Sequence, residues 1–450
     1  MAEFTTAGPP ATTLRPRTTA KLALSTLFLA NVVVVTALFA ASGPSSNVLV
    51  SLGRLTGLYG ALLMAFQLLL IARLPWVDRR LGMDRLTSWH RLLGFGLLWT
   101  LTGHAVFIVS GYAVVEGTGP IDQLGTLITT MEDVLRAVVA LVLILLVGGL
   151  SARYARRRLA YETWHFVHLY TYLAVVLAFG HQVAAGESFV DSPAARAYWW
   201  ALWGAALAAV VAGRVLLPLR RNLKHRFRVS AVVPESPEVV SIHITGDKLD
   251  ELPVRAGQFF LWRFLSRDRW WQANPFSLSA APDGRSLRLT VKAVGQGSAA
   301  LRGLRPGTRV FAEGPYGAFT TAHQTRENAL LIAGGVGITP IRALLEEVRG
   351  HVVLLYRVRS ETDAVLLEEL TAIARTRGAV LRLLTGPSDQ DGPGGPVLGP
   401  RNLAALVPDV TDRDVFVCGP PGMTRAALRG LTELGLPAAQ VHAERFSLAG

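Results

Sequence analysis

The chain has 450 residues, is 51% hydrophobic and carries a formal net charge of +13 at pH 7. That length accommodates roughly two to four domains, and the apolar share is too high for an ordinary soluble enzyme. Many of the arginines sit beside apolar runs, where the positive-inside rule accounts for them, so nucleic acid is excluded as a partner. A single cysteine, Cys418, excludes an intramolecular disulfide framework and any four-cysteine iron–sulfur cluster held by the chain.

Residues 1–20 form a tail rich in Thr, Pro and Ala that carries Arg15 and Arg17. Six apolar spans follow, each near bilayer length: Lys21 to Ala41, Val48 to Leu74, Trp89 to Ser110, Val134 to Ser151, Thr163 to Ala184 and Arg196 to Leu217. No small-residue cleavage site precedes the later spans, which points to an uncleaved first helix. Basic residues recur at every second junction: Arg15, Arg17 and Lys21, then Arg73, Arg79, Arg80, Arg85 and Arg91, then Arg153 and Arg156 to Arg158. The alternate connections, SGPSSN, the Gly111 to Asp133 segment and the Gly186 to Pro193 segment, are polar or acidic. This sets both termini on the cytoplasmic side of a cell membrane and makes residues 21–219 a multi-pass bundle.

Two of those spans carry paired histidines. His90 and His104 are fourteen residues apart, and at about 3.6 residues per turn that falls roughly 40° short of four turns, so both imidazoles leave nearly one face about 21 Å apart. The later span holds His168 and His181, and two such helices can clamp two stacked haems between opposed imidazoles, His90 with His168 and His104 with His181. Thirteen residues would leave the second pair roughly 140° apart on an ideal helix, which calls for a bulge or a sideways offset. His165 is a rival inner ligand that rotation does not eliminate. Arg54 and Arg136 either meet haem propionates or reach the interface.

A basic connector, Arg220 to Arg228, leads into short alternating segments, FRVSAVVPE, VVSIHITG, QFFLWRFL, FSLSAA, SLRLTVKAV and TRVFAEGP. These read as a small antiparallel β-barrel over residues 220–321. From residue 322 to 450 strands and helices alternate, as in ALLIAGG, ITPIRALLEEV, HVVLLYRV, AVLLEELTAIA, AVLRLLT, DVFVCG and MTRAALRGLTEL. That rhythm is an α/β domain with a parallel sheet and helices on both faces, and SDQDGPGGPVLGP is its loop connection.

The barrel carries NPFSLSAAP, Asn274 to Pro282, in which Pro275 and Leu278 frame an aromatic face from Phe276 and hydroxyls from Ser277 and Ser279. In VKAVGQGSAAL, Gly295, Gly297 and Ser298 open a helix whose free amides suit a pyrophosphate. The stretch LLIAGGVGITPIRALLEE has Gly334, Gly335 and Gly337 for close backbone approach, with Thr339 and Pro340 starting a helix aimed at a ligand. VFVCGPPGM ends another strand at Cys418, Gly419 and Pro420, on the carboxyl edge where such sheets bind ligands.

In this order, with EGPYG at Glu313 to Gly317 and the terminal ERFSL, these motifs make the chain resemble the membrane ferric reductase and NADPH oxidase superfamily over roughly residues 20 to 450. The resemblance implies a six-helix transmembrane bundle, an antiparallel β-barrel FAD domain and an α/β parallel-sheet nucleotide-binding domain. It implies that His90, His104, His168 and His181 ligate two b-type haems, that Phe276 and Ser277 touch the isoalloxazine, and that Gly297 and Ser298 hold the FAD phosphates. Gly335, Gly337, Thr339 and Cys418 would then line the nicotinamide site, with Phe446 covering the flavin. Asn274 departs from the family's usual His or Arg and brings no charge to FAD. Arg357, Arg359 and Ser360, at the end of LLYRVRS, suit a 2′-phosphate and favour NADPH, with NADH as the alternative.

The expected activity is a transmembrane reductase that passes electrons from NAD(P)H through FAD and two haems to a small-molecule acceptor outside, a ferric or other metal chelate by preference. The rival readings are a superoxide-producing oxidase and a haem-binding electron-transfer or sensor subunit. The sequence leaves open the acceptor, the oligomeric state and any protein partner.

Overall fold

The computed structural model describes residues 16–131, 133–152, 155, 158–159, 161–186, 192–267, 269–387, 391–392 and 395–444. They fall into two compact units, Met1–Leu74 with Arg85–Arg214, and Pro75–Asp84 with Val215–Gly450.

The first unit is helical: α1 Pro16–Ser42, α2 Val48–Ile71, most of α4 Met83–Glu116, α5 Pro120–Thr130, α6 Val134–Ser151, α7 Tyr161–Ala185 and α8 Pro193–Val211. Six helices are long and apolar enough to cross a membrane, at the positions read from the sequence. Val35, Leu62, Met64, Phe66, Trp199 and Trp203 form the inner core, while Leu92, Phe95, Trp99, Phe166 and Val176 point outward. Large exposed apolar side chains around every span are what a lipid solvent permits and water does not. The segment Gly111 to Asp133, read as a connection, is largely helical. The chain stays apolar through Val114 and Val115, which extends α4, and Pro120 with Asp122 then provides a first turn suited to α5. A π-turn, Ala212–Leu216, follows α8. A Cβ on Gly213 would stand 2.0 Å from the Ala72 carbonyl, so only glycine lets those backbones pass.

In the second unit, α3 Pro75–Leu81 and α9 Leu217–His225 accompany six strands: β1 Arg228–Ser236, β2 Val239–Thr245, β3 Phe259–Phe264, β4 Asn274–Ser277, β5 Leu287–Lys292 and β6 Val310–Tyr316. They form two antiparallel three-stranded sheets, β1-β2-β5 and β4-β3-β6, over a core centred on Phe260, Trp262, Phe264 and Leu289. The barrel does not close into one ladder. Isolated bridges, Leu278 with Leu289 and Arg228 with Arg309, join its two halves.

After α10 Gln296–Ala299 come β7 Asn328–Gly334, α11 Ile338–Glu347, β8 Val352–Arg357, α12 Leu367–Arg377 and β9 Val380–Leu384. A two-residue hairpin, β10 Asp391–Gly392 and β11 Gly395–Pro396, precedes α13 Pro400–Leu406, β12 Arg413–Cys418, α14 Pro421–Glu433 and β13 Val441–Glu444. The main sheet has the order β13-β12-β7-β8-β9 and is parallel throughout. Alternate strand residues enter opposite cores, Leu331, Leu354 and Phe416 on one face, Leu330, Val353 and Val415 on the other. Near-continuous apolar strands are what burial on both faces requires.

Candidate functional site

The four histidines stand on α4 and α7. The ring centroids of His90 and His168 are 6.1 Å apart with planes at 74°. Two metal–nitrogen bonds on the order of 2 Å each, together with the half-widths of two imidazoles, span that distance. His104 and His181 lie near enough to act on each other electrostatically. The inner pair therefore takes one imidazole from each helix, and His104 and His181 stand further along the same two helices. His168 also stacks on Trp164 at 5.1 Å and 25°, and the indole Nε1 donates to Ser151 Oγ at 3.1 Å. His165 is exposed and 6.4 Å from the same indole, so the structure brings His168, not His165, against His90. α7 runs as uninterrupted α-helix, without the bulge its thirteen-residue spacing called for, which leaves the sideways offset.

Residues that the motif reading passed over fix these imidazoles. His104 Nδ1 lies 2.8 Å from the Gly53 carbonyl. A carbonyl only accepts, so Nδ1 carries the proton and Nε2 is left as the ligating atom. A Cβ on Gly57 would stand 2.6 Å from His104 Nδ1, and one on Gly60 2.5 Å from Leu101. The spacing of Gly53, Gly57 and Gly60 along α2, small residues at i, i+4 and i+7, was the available signal. Gln67 Nε2 donates to the His90 carbonyl at 2.9 Å. Among the described residues Nδ1 of His90, His168 and His181 is buried without a partner. Among the described residues no group of three or more His, Cys, Asp or Glu could hold a metal, so a metal between paired imidazoles needs its remaining ligands from a macrocycle. The donor set fits haem. Arg54 donates to Ser42 Oγ at 3.4 Å and lies over Phe39, and Arg136 pairs with Asp133 at 2.5 Å.

In the barrel, β4 lies beside β3, and Trp262 Nε1 donates to the Phe276 carbonyl at 3.0 Å. Phe276 is partly exposed, Pro275 exposed and Ser277 buried. Leu278 belongs to the core, and Ser279 Oγ accepts from Thr290 Oγ1 at 2.8 Å and Arg288 Nε at 3.2 Å. Both act inside the barrel, just past the end of β4 at Ser277, where three consecutive residues, Ser277 to Ser279, are buried. Asn274 Nδ2 donates to the Trp262 and Gln272 carbonyls, 3.3 Å each. Ser298 Oγ accepts from the amides of Val294 and Gly295 at 3.0 and 3.1 Å, which leaves the Gly297 turn as the open part of that loop.

At the sheet's carboxyl edge the ends of β7 and β12 meet. A Cβ on Gly337 would stand 2.2 Å from the Cys418 carbonyl, and one on Gly419 2.5 Å from Met423 Cε. Gly335 has φ +50° with open space beside it, and Thr339 Oγ1 donates to the Val336 carbonyl at 3.0 Å. Pro340 is buried in α11 and Pro420 is exposed ahead of α14. Cys418 is fully buried, and burial followed by the Glu444 carboxylate pushes its thiol well above the ordinary range, so it stays neutral. Arg357 donates to the carbonyls of Val358, Leu384 and Pro387, the last at 2.6 Å, and burial lowers its pKa. Ser360 caps the turn before Asp363, donating to Asp363 Oδ2 at 2.8 Å. Arg359 and Ser360 are exposed, and of the two arginines Arg359 is the one not engaged by backbone carbonyls. Phe446 lies outside the described residues.

Arg288, which touches Ser279, also donates to Glu369 Oε2 at 3.0 Å, and Glu369 pairs with the buried Arg342. This ion-pair chain ties the barrel strand to α11 and α12, and no local motif marks it.

The ferric reductase like transmembrane component family matches residues 56–179, and the oxidoreductase NAD-binding domain family matches residues 331–429. Ferredoxin–NADP reductase B of Sorangium cellulosum is 33% identical over 190 residues, covering 38% of this chain and 77% of that protein. The chain joins a ferric reductase-like transmembrane domain to a ferredoxin–NADP reductase-like half, the architecture of the ferric reductase and NADPH oxidase type. It is an NAD(P)H-dependent flavoprotein oxidoreductase and a multi-pass membrane protein. The ferredoxin reductase component of 3-ketosteroid-9-alpha-monooxygenase from Mycobacterium tuberculosis is 34% identical over 238 residues, 49% of this chain and 64% of that protein, so the chain spans just under two thirds of it. The flavohem-like FAD/NAD binding domain of nitric oxide dioxygenase from Vibrio cholerae has 24% identity and a TM-score of 0.40, covering 50% of this chain and 99% of that one.

Proposed function

We propose that this membrane oxidoreductase takes reducing equivalents from NAD(P)H on the cytoplasmic side and passes them through FAD and two b-type haems to a ferric or other metal chelate outside. The observation that carries the reading is the opposition of His90 and His168 across α4 and α7, with His104 and His181 further along the same two helices as the second pair we assign. FAD accepts the coenzyme's electron pair and releases it singly, and haem iron takes electrons one at a time. The chain's own part is placement. His104 is oriented by Gly53, and His168 by Trp164 and Ser151. Phe276 offers a flat apolar face, and the tight Gly334 to Gly337 turn admits a coenzyme close to the backbone. Cys418 is fully buried beneath that turn, with its carbonyl against Gly337.

Cytoplasmic placement of the termini and both nucleotide domains rests on the arginines between spans two and three and after span four. NADPH is favoured over NADH on Arg359, since Arg357 is engaged by backbone carbonyls. The preference for a chelate rests on short outer connections, such as the residues between Ser42 and Val48. The test is anaerobic addition of NADPH or NADH to protein loaded with haem and FAD, with flavin bleaching and haem reduction recorded together. His104→Ala should remove only the outer haem and leave flavin reduction intact. Loss of flavin reduction in that variant, or a missing b-type Soret band in the parent, would overturn the assignment. Coenzyme oxidation by dioxygen alone, indifferent to added ferric chelate, would replace the chelate with dioxygen as acceptor.

A further inference from the structure

Within the second unit lies a cavity of about 400 Å³ whose lining meets the motifs named above only at Gly317, the last residue of EGPYG. Arg79 on α3, Arg255 ahead of β3 and His323 after β6 line it with Gln258 and Thr320, while Pro253, Val254 and Ala322 make much of the remaining wall apolar. Arg221 on α9 stands near enough to Arg79 for the two guanidinium groups to repel. Among the described residues no carboxylate is ion-paired with Arg79, Arg221 or Arg255.

The acidic groups that flank the cavity are turned to other work. Asp78 Oδ2 accepts from the Gly317 amide at 2.6 Å. Glu347 accepts from the Ala256 amide at 3.2 Å and from Thr321 Oγ1 at 3.5 Å. A folded chain that sets two guanidinium groups and an imidazole on one concavity, with a third guanidinium on α9 outside its lining, and holds its nearby carboxylates on backbone amides and a threonine hydroxyl, creates a field that favours an anion. Guanidinium forks and a hydroxyl such as that of Thr320 suit a tetrahedral oxyanion in particular.

Position in the chain indicates the source of that anion. Arg79 comes eight residues after the end of the second span at Ile71, and Arg221 lies within the helical run that continues the sixth. Both therefore follow a membrane span closely in the sequence, where basic residues meet anionic headgroups.

We propose that this cavity binds a phosphate-class anion, supplied by the headgroup of an anionic lipid in the inner leaflet. A soluble phosphate has the same chemistry, and the experiment separates the two. Full-length protein is placed in nanodiscs of phosphatidylcholine, with or without phosphatidic acid, and bound phosphatidic acid is counted by native mass spectrometry. Binding of inorganic phosphate to the protein in pure phosphatidylcholine is measured in parallel. Arg79 and Arg255 are both exposed, so Arg79→Gln and Arg255→Gln should fold, and retained near-ultraviolet circular dichroism checks that they do. Each variant should weaken binding about tenfold, the size of one charge-assisted hydrogen bond. Arg382→Gln, an exposed arginine on β9 away from the cavity, should leave it unchanged. Saturable phosphatidic acid binding that inorganic phosphate does not displace supports the headgroup. Phosphate binding with the same variant pattern keeps the anion site and replaces its source. Absence of both, or an equal loss in Arg382→Gln, overturns the proposal.

Discussion

The membrane unit and the dehydrogenase unit treat their polar groups in opposite ways. In the first, three histidine Nδ1 atoms are buried without a partner among the described residues, in an environment where such groups are costly. In the second, the side chains that stand out in the motifs are mostly already satisfied: Ser279 by Thr290 and Arg288, Arg357 by three carbonyls, Ser360 by Asp363. The membrane site is legible instead from imidazoles set opposite one another across two helices. The nucleotide site is legible from backbone turns that exclude a Cβ. A motif residue in such a sheet is as often there to hold the turn as to touch the ligand.

The sharpest way to break this comparison is His168→Ala. It should remove one of two haem absorbances and reduce NADPH-driven reduction of an external acceptor to background, while flavin bleaching persists. His165→Ala should leave all three unchanged, and the reverse result would exchange their roles. Next in size is Gly337→Ala, whose methyl would meet the Cys418 carbonyl at 2.2 Å. Forcing the ends of β7 and β12 apart should cost about 3 kcal/mol, read by chemical denaturation, and raise the KM for the coenzyme.

Glu369→Gln tests whether the two nucleotide lobes depend on their ion-pair chain. It leaves Arg342, with a side chain only 6% exposed, short of one counter-charge. Glu369 is itself 32% exposed, and solvent screening reduces the expected loss to about 2 kcal/mol.

The acid limb of stability should map to Asp414. Burial raises its carboxyl, but hydrogen bonds from His442 and from the amides of Arg326 and Thr325 outweigh burial and hold it below the usual range. A depressed folded value means that the stabilisation is present at neutral pH. It is lost as pH falls below about 4, through the folded value. Asp414→Asn should cost about 1–2 kcal/mol at pH 7 and flatten that acid limb in denaturant titrations run across pH.

The smallest effect separates two neighbouring arginines. Arg359→Ala should raise the KM for NADPH about tenfold and leave that for NADH unchanged, as loss of one phosphate contact would. Arg357→Ala should instead lower the melting temperature with little change in the ratio between coenzymes.

The amino-acid order by itself determined the six spans, the strand and helix rhythm of the second half and the glycine turn, because each is a local pattern of apolar spacing or backbone freedom. It also placed four histidines on two helices, since spacing along a helix fixes rotation. Which imidazole opposes His90 was a different matter. His165 and His168 stand three residues apart on α7, and only the packing of Trp164 and Ser151 selects between them. The Gly53 carbonyl behind His104, the Arg288–Glu369–Arg342 chain and the open seam of the barrel arise between elements far apart in sequence. Tertiary structure alone decides such contacts, because a side chain's local pattern records which face it takes and not what it meets there.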